Sequence, residues 1–341
     1  MFNNKSILIT GGSGLFGRCF IETILRDYPE VKKIIIYSRD VQKQDEILAL
    51  YPKKQFPQLR YFIGDVRDKE RLIRACGGVD IIVHAATIAS IEAAEYNPGE
   101  CIKTNIIGAE NVINAALKNN VHDVVALSSD KACAPSNLYG ATQLVSDKLF
   151  VAANNLTGLN DIKFSVVRYG NVMGSKGSVI PLFIARKKLG GRSLPITDKR
   201  MTRFIISNQE VVSAVEYALE NHMGGEIFIP KVSSYKVTDL ATAIAPEMEQ
   251  VEIGRRPGEK IDEKLISSAD SQATLDLGKY YAILPSMVYT GHRLLEDYKV
   301  HYNAVLVPEG FHYSSNDNPV FETVNSLRDK IRMYIDASIK F

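Results

Sequence analysis

The chain has 341 residues, of which 45% are hydrophobic and 23% charged, and its formal net charge is +2. This composition is ordinary for a globular protein, and the charge lacks the concentrated basic face of a nucleic-acid-binding domain. No run of 18 or more apolar residues and no signal-peptide core are present, so we predict a cytoplasmic protein with no nucleic-acid or membrane partner.

Six short apolar runs alternate with helical stretches in the first half of the chain. Such runs are typical of strands covered on both faces. They occupy residues 6–10, 33–37, 59–63, 81–84, 124–127 and 164–168. Helical patterns lie between them, for example at 14–27 and 104–119. The alternation predicts an α/β fold, a Rossmann-type doubly wound parallel sheet.

The rhythm changes after about residue 172, where turn-rich segments interrupt shorter elements. We predict that residues 1–172, with returning segments near 200–225, form a Rossmann domain. Residues 173–341 are predicted to form mainly a smaller substrate-binding lobe and a C-terminal tail, packed over the carboxyl edge of the sheet. Within the tail, 308–318 is predicted to be a loop and 322–338 a helix.

The four cysteines have no paired spacing, so we predict free thiols and no metal site.

A glycine-rich turn at residues 10–17 (TGGSGLFG) follows the first predicted strand and opens the first predicted helix. Its glycine spacing permits a tight turn, close backbone approach to a pyrophosphate and close helix–sheet packing. The helix N-terminus adds amide donors and the positive end of a dipole. The residues predicted to bind this part of a dinucleotide are Gly11, Ser13, Gly14, Leu15, Phe16 and Gly17.

The end of the second predicted strand discriminates between the two nicotinamide dinucleotides. An acidic residue here favours NAD through the ribose 2′-hydroxyl, whereas arginine accommodates a 2′-phosphate. Ser38 and Arg39 come first and Lys43 follows, so we predict that residues 1–172 form an NADP-binding domain, while Asp40 keeps NAD open.

The ends of the third and fourth predicted strands complete the cofactor prediction. Asp65 and Val66 are predicted to lie at the adenine. Ala85 and Ala86 are small enough for the backbone to approach the cofactor. His84, just before them, is equally well explained as a core histidine with a satisfied ring.

Two segments after the fifth predicted strand, 128–131 (SSDK) and 139–143 (YGATQ), together with the glycine turn, resemble the extended short-chain dehydrogenase/reductase family. Further segments resemble its inverting UDP-N-acetylglucosamine 4,6-dehydratases of the flagellin-glycosylation type. The resemblance runs nearly end to end and thins after about residue 265. The segments are 37–40, 62–68, 95–98, 137–142, 167–172, 201–204 and 256–260.

The resemblance implies a three-stage reaction. Hydride leaves sugar C4 for NADP⁺, water is eliminated across C5 and C6, and hydride returns to C6 while C5 is reprotonated on the opposite face. Oxidation comes first because the ketone acidifies the C5 proton. Tyr139 would take the C4 hydroxyl proton and contact the cofactor, Asp130 would protonate the leaving hydroxyl, and Lys131 would act as the base. For that role the pKa of Lys131 must fall, which we expect from a dry site beside a positive nicotinamide.

The resemblance also implies a UDP-sugar partner and a homo-oligomer, a hexamer or a dimer. Asn171 corresponds to a residue that holds the diphosphate or sugar. Arginine and lysine side chains suit the UDP phosphates, and a carboxylate accepts from ribose hydroxyls. The remaining predicted substrate-binding residues are Lys176, Arg203, Arg256 and Glu259.

Two departures from the family pattern fall at the site. Gln143 occupies the position of a lysine that normally holds the nicotinamide ribose, and it hydrogen-bonds without supplying charge. Residues 88–92 (IASIE) occupy the position of a loop that carries a basic pair in the family, and they contain no basic residue. Two alternative functions stay open: another UDP-sugar epimerase or oxidoreductase, and a catalytically impaired paralogue that binds NADP and UDP-sugar. For Asp130–Lys131, the alternative to a catalytic role is a surface ion pair or helix cap.

Overall fold

The computed structural model describes residues 1–158, 160–175, 177–285 and 295–338, with side chains described to residue 333. Its strands are β1 (Ser6–Thr10), β2 (Lys33–Ser38), β3 (Leu59–Ile63), β4 (Ile81–His84), β5 (Asp123–Ser129), β6 (Lys163–Tyr169), β7 (Asn171–Val172), β8 (Ser193–Ile196), β9 (Thr202–Ile206), β10 (Ile227–Pro230), β11 (Ser233–Lys236), β12 (Glu249–Glu252), β13 (Lys264–Ile266), β14 (Thr274–Asp276), β15 (Tyr280–Ile283), β16 (Val305–Leu306) and β17 (Tyr313–Ser314).

The helices are α1 (Leu15–Asp27), α2 (Val41–Leu50), α3 (Lys69–Ala75), α4 (Ile91–Tyr96), α5 (Pro98–Ile102), α6 (Gly108–Asn119), α7 (Leu138–Ala153), α8 (Val179–Lys188), α9 (Asn208–Asn221), α10 (Val237–Ile244), α11 (Leu295–Tyr302) and α12 (Val324–Ser338). A π-helical turn, Lys103–Ile107, joins α5 to α6, which is why α6 begins later than the predicted 104.

A large sheet organises the molecule, in the order β16-β14-β15-β10-β6-β5-β4-β1-β2-β3. The strands from β10 to β3 pair in parallel, while β15, β14 and β16 extend the sheet antiparallel. The order reverses beside β1, and ligands of doubly wound sheets bind at such a switch point, outside the carboxyl ends of the strands. The predicted Rossmann-type fold is confirmed.

The apolar strands are covered on both faces because successive side chains point to opposite sides of a sheet. In β1, Leu8 packs into one buried cluster, whereas Ile7 and Ile9 pack into the cluster on the other face. A third cluster lies in the smaller lobe, where α8, α10 and α12 pack around β8 and β9.

The sheet reaches further along the chain than the sequence predicts. Returning segments were expected near 200–225, yet β10, β14, β15 and β16 also join the large sheet. The domain boundary predicted at 172 therefore marks where the lobe begins rather than where the Rossmann sheet ends. The predicted 308–318 loop contains the short strand β17, and the predicted C-terminal helix begins at Val324.

Candidate active site

The glycine turn between β1 and α1 brings three backbone segments into contact. Gly11 has a φ of +65°, and a Cβ there would lie 2.9 Å from the amide nitrogen of Ala86. A Cβ on Gly17 would lie 2.2 Å from the carbonyl oxygen of Gly12. Only glycine permits these approaches. The N-terminus of α1 opens at this turn, as an anion site on a helix requires.

Thr10 fixes the segment that faces the turn. Its hydroxyl oxygen accepts from the amides of Ala85 at 3.1 Å and Ala86 at 3.3 Å. The hydroxyl lies 2.7 Å from Nδ1 of His84, and because both lone pairs are engaged, Thr10 donates to that nitrogen. Burial lowers the pKa of His84 to about 4. The core-histidine interpretation is therefore the one that fits this ring.

Some residues at the end of β2 are engaged by hydrogen bonds within the protein, and one is largely exposed to solvent. The Asp40 carboxylate caps α2, accepting from the Lys43 amide at 3.1 Å, and pairs with Lys43 Nζ at 3.1 Å. Arg39 has a side chain 56% exposed and lies 3.5 Å from Asp65. The cation at 39 is thus more available to a ligand than the carboxylate at 40. Ser38 is buried, and its hydroxyl accepts from a glutamine of α2.

Asp65 and Val66 lie at the end of β3, as predicted for residues near an adenine. Arg67 donates to Asp65 through Nε at 2.9 Å and Nη2 at 2.6 Å. Burial opposes ionisation of Asp65, but these hydrogen bonds outweigh it and hold its pKa below the usual range. The Val66 carbonyl accepts from Asn111 at 2.9 Å, which ties this turn to α6.

Asp130 directly follows β5 and is fully buried. Its Oδ1 accepts from the Ser129 hydroxyl at 2.9 Å and from Lys131 Nζ at 2.8 Å. Its Oδ2 is buried without a hydrogen-bond partner among the described residues. Burial raises the pKa of Asp130, although the charge of Lys131 opposes the rise. A surface ion pair does not describe this arrangement, and the carboxyl retains a free acceptor for a ligand.

Lys131 is enclosed by acceptors. Its Nζ lies 2.7 Å from Asn171 Oδ1 and 3.5 Å from Glu263 Oε1, in addition to the contact with Asp130. Burial by itself would lower the pKa of Lys131, but the charges of Asp130 and Glu263 outweigh it and raise the pKa. The expected lowering is therefore wrong for the protein's own groups, because a second carboxylate, 132 residues further along the chain, lies at this amine.

Tyr139 and Gln143 lie one turn apart on α7, whose first turn is capped by Asn137. Burial raises the pKa of Tyr139 to about 12, against a hydrogen bond with Ser129 and the charge of Lys131. Gln143 is buried, and its amide has no hydrogen-bond partner within the part of the chain that the structure describes. A buried amide without a protein partner has donors and an acceptor to offer a ligand.

Arg203 is engaged mainly by the protein itself. Its guanidinium is buried and donates to the carbonyls of Thr202, Ile261 and Lys260 and to the Met201 sulfur. These contacts use all four Nη–H donors, and Nε faces Glu263 at 4.0 Å. Arg203 therefore supports the 259–263 segment through its Nη–H donors, and its predicted contact with a UDP phosphate stays a prediction that falls to Nε–H alone.

The other predicted substrate residues differ in exposure. Arg256 is 58% exposed and pairs at 3.3 Å with Glu92, which links the loop after β4 to the lobe. Glu259 accepts from the Arg256 amide at 3.1 Å and from Thr197 at 3.4 Å. Both remain predicted ligands of a sugar nucleotide. Lys176 lies outside the described residues.

Comparison with known proteins identifies the family to which the chain belongs. A profile of the polysaccharide biosynthesis protein family matches residues 7–285. The chain is 51% identical to the UDP-N-acetylglucosamine 4,6-dehydratase (inverting) of Campylobacter jejuni subsp. jejuni serotype O:2, over 97% of this chain and 98% of the relative. The chain belongs to the polysaccharide biosynthesis protein family. It is an extended short-chain dehydrogenase/reductase of the polysaccharide biosynthesis type, as the resemblance predicted.

Other members widen the comparison. The UDP-glucose 4-epimerase of Rickettsia canadensis is 40% identical, over 83% of this chain and 84% of the relative. The X-ray structure of Pen from Bacillus thuringiensis is 31% identical with a TM-score of 0.87, covering 98% of this chain and 99% of that one. Solved structures of the same fold at 18–23% identity hold NAD. Among the described helices, none combines the length and apolarity of a membrane span.

Sequence reasoning missed Glu263, and the reason is physical. Lys260 is close in sequence, but Lys131 and Arg203 are 132 and 60 residues away, so that only the folded chain brings these two cations to Glu263. Ser129 was also missed as a link between Tyr139 and Asp130, although it lies within the quoted 128–131 segment.

Proposed function

We propose that this protein is an NADP-dependent UDP-N-acetylglucosamine 4,6-dehydratase that inverts C5. The observation that carries the proposal is the fully buried Asp130 carboxyl, 2.8 Å from Lys131 Nζ at the carboxyl end of β5. An elimination needs an acid and a base on neighbouring atoms of the sugar, and this pair supplies both. The 51% identity to an inverting dehydratase supports the same reaction.

The chain's own residues have distinct tasks. A nicotinamide dinucleotide held at the glycine turn of residues 11–17 would supply the hydride chemistry at C4 and C6. Tyr139, as the phenolate, would accept the proton of the C4 hydroxyl, and its hydrogen bond with Ser129 and the charge of Lys131 favour that ionised form against burial. Lys131 removes the C5 proton, and Asp130 protonates the departing C6 oxygen. The unpartnered amide of Gln143 offers hydrogen bonds to the nicotinamide ribose, one turn from Tyr139.

The preference for NADP rests on the end of β2. Arg39 presents a largely exposed guanidinium, whereas the Asp40 carboxylate is engaged by α2 and Lys43. A 2′-phosphate would therefore meet a positive charge. A ribose 2′-hydroxyl would find its customary carboxylate already used.

The test is incubation with UDP-N-acetylglucosamine and trace NADP⁺, followed by mass spectrometry and proton NMR. We expect loss of one water and a new C6 methyl signal. An unchanged mass with a second sugar stereoisomer would mean an epimerase, the activity of the Rickettsia relative. Full recovery of the starting sugar would favour a binding paralogue. Light scattering on the same sample tests the predicted homo-oligomer.

A further inference from the structure

Glu263 is a buried carboxylate whose place is set by its backbone. Its amide donates to the Ser315 hydroxyl at 3.0 Å, and its carbonyl accepts from the Ser315 amide at 2.8 Å. The side chain is 5% exposed and turns towards the active site. The local chain path therefore does not need the carboxylate, which leaves its charge to be explained.

Three cations surround this carboxylate. Oε1 lies 3.5 Å from Lys131 Nζ and 4.0 Å from Arg203 Nε, and Oε2 lies 3.9 Å from Lys260 Nζ. The four Nη–H donors of Arg203 are engaged by other protein acceptors, and Lys260 donates to the Cys133 carbonyl at 2.8 Å. Lys131 is thus the neighbouring cation that takes part in the proposed reaction. Oε2 is buried without a hydrogen-bond partner among the described residues.

Lys131 cannot act as a base in the arrangement that the structure shows. Its three protons face Asp130, Asn171 and Glu263, so Nζ has no lone pair to offer. Asp130 Oδ1, at 2.8 Å, is well placed to receive one of these protons. In that transfer the N–H bond breaks, an O–H bond forms, and the net charge of the pair stays zero. One proton movement then produces both the amine base and the carboxylic acid.

On the basis of the proposed function, we propose that Glu263 is a positioning residue that sets the pH window in which the Asp130–Lys131 pair holds one shared proton. Losing that proton to solvent would give the pair a negative charge beside the Glu263 carboxylate, which Coulomb repulsion opposes. Exchange within the pair leaves the net charge unchanged.

The proton balance closes over the elimination. The Lys131 amine takes the C5 proton, the C5–H electron pair forms the C5–C6 double bond, and the C6 oxygen leaves as water with the proton of Asp130. The pair returns to ammonium and carboxylate. Burial raises the pKa of Asp130, the charge of Lys131 opposes the rise, and the charge of Glu263 adds to it. Burial lowers the pKa of Lys131, but the charges of Asp130 and then Glu263 raise it. The other titratable or charged groups that act on the pair are Arg203, Tyr139, Tyr169 and Tyr235.

The test is the pH dependence of kcat/KM in Glu263→Gln. Since removing the charge lowers both pKa values, the acidic and alkaline limbs should move together to lower pH, by about one unit for a charge at this separation. Glu263→Asp keeps the charge and should keep the wild-type profile even if the rate falls. Glu226→Gln is a matched control, because Glu226 is buried and bonded to the amides of Met223 and Gly224 and to the Tyr302 hydroxyl.

A slower Glu263→Gln enzyme with an unmoved profile would overturn the proposal and leave only structural support. A second measurement, which needs no turnover, distinguishes failure of the proposed role of Glu263 from failure of the dehydratase assignment. In protein labelled with ¹³Cγ-aspartate and assigned with Asp130→Asn, the Asp130 titration needs no substrate. We expect its midpoint to be about one unit lower in Glu263→Gln. An unchanged midpoint refutes the role of Glu263, whether or not the wild type turns over UDP-N-acetylglucosamine.

Discussion

The proposed cofactor side and the proposed sugar side of the cleft are built by different means. The cofactor side is mostly backbone: glycines within residues 11–17 and two alanine amides held by Thr10. The sugar side is a cluster of charged side chains drawn from distant segments, with Asp130, Lys131 and Glu263 at its centre. The first side depends on steric room and the second on the balance of charge. Substitutions that add volume should therefore impair the first side, and substitutions that change charge should impair the second.

The largest effect is expected from Asp130→Asn, which removes the acid while keeping the shape. Turnover should fall by about 10²- to 10⁴-fold, the usual contribution of a positioned acid or base. Binding of the cofactor should be retained, because Asp130 lies on the sugar side. Steady-state kinetics and a cofactor titration measure the two effects. Turnover within a few-fold of the wild type would exclude Asp130 as the acid.

Gly17→Ala tests the cofactor side. The new Cβ would approach a backbone oxygen at 2.2 Å, so that the turn must shift. A strain of about 3 kcal/mol corresponds to roughly 100-fold weaker cofactor binding, measured by calorimetry. Gly99→Ala is the matched control, since a Cβ there has nothing within 4 Å. Equal affinities in the two variants would contradict the close-approach argument.

Gln143→Lys restores the ammonium that the family pattern has near the tyrosine. A charge at about 4 Å contributes roughly 1 to 4 kcal/mol. Lys131 already acts on Tyr139, so we expect the lower end, about a tenfold rise in kcat. Single-turnover formation of the reduced nicotinamide, followed by its absorbance, is the measurement. No change would mean that Lys131 already suffices, whereas activity found only in the variant would identify an impaired paralogue.

Arg39→Ala should have the smallest effect. The residue is exposed, so loss of its charge should reduce the preference for NADP over NAD only about fivefold. Competition binding with the two dinucleotides measures this ratio. Arg26→Ala, another exposed arginine of the same domain, should leave the ratio unchanged. An unaltered ratio in Arg39→Ala would remove the main support for NADP.

The same contrast explains how far the sequence could predict the structure. The strands β1 to β6 and the glycine turn were predictable because periodicity and glycine spacing are local signals. The pairing of β14, β15 and β16 with the large sheet was not, since it joins segments far apart in the chain. At the site, Asp130, Lys131 and Tyr139 were predicted from their segments. The burial of Arg203 and the position of the Glu263 carboxylate beside Lys131 were not predictable, because they depend on contacts between segments far apart in the chain.

The most direct test of the central claim, that one cleft brings the nicotinamide to both C4 and C6 of the same sugar, uses UDP-N-acetylglucosamine carrying deuterium at C4. We expect NMR and mass spectrometry of the product to find this deuterium in the C6 methyl group. Deuterium that remains at C4, or a sugar without a C6 methyl group, would contradict it.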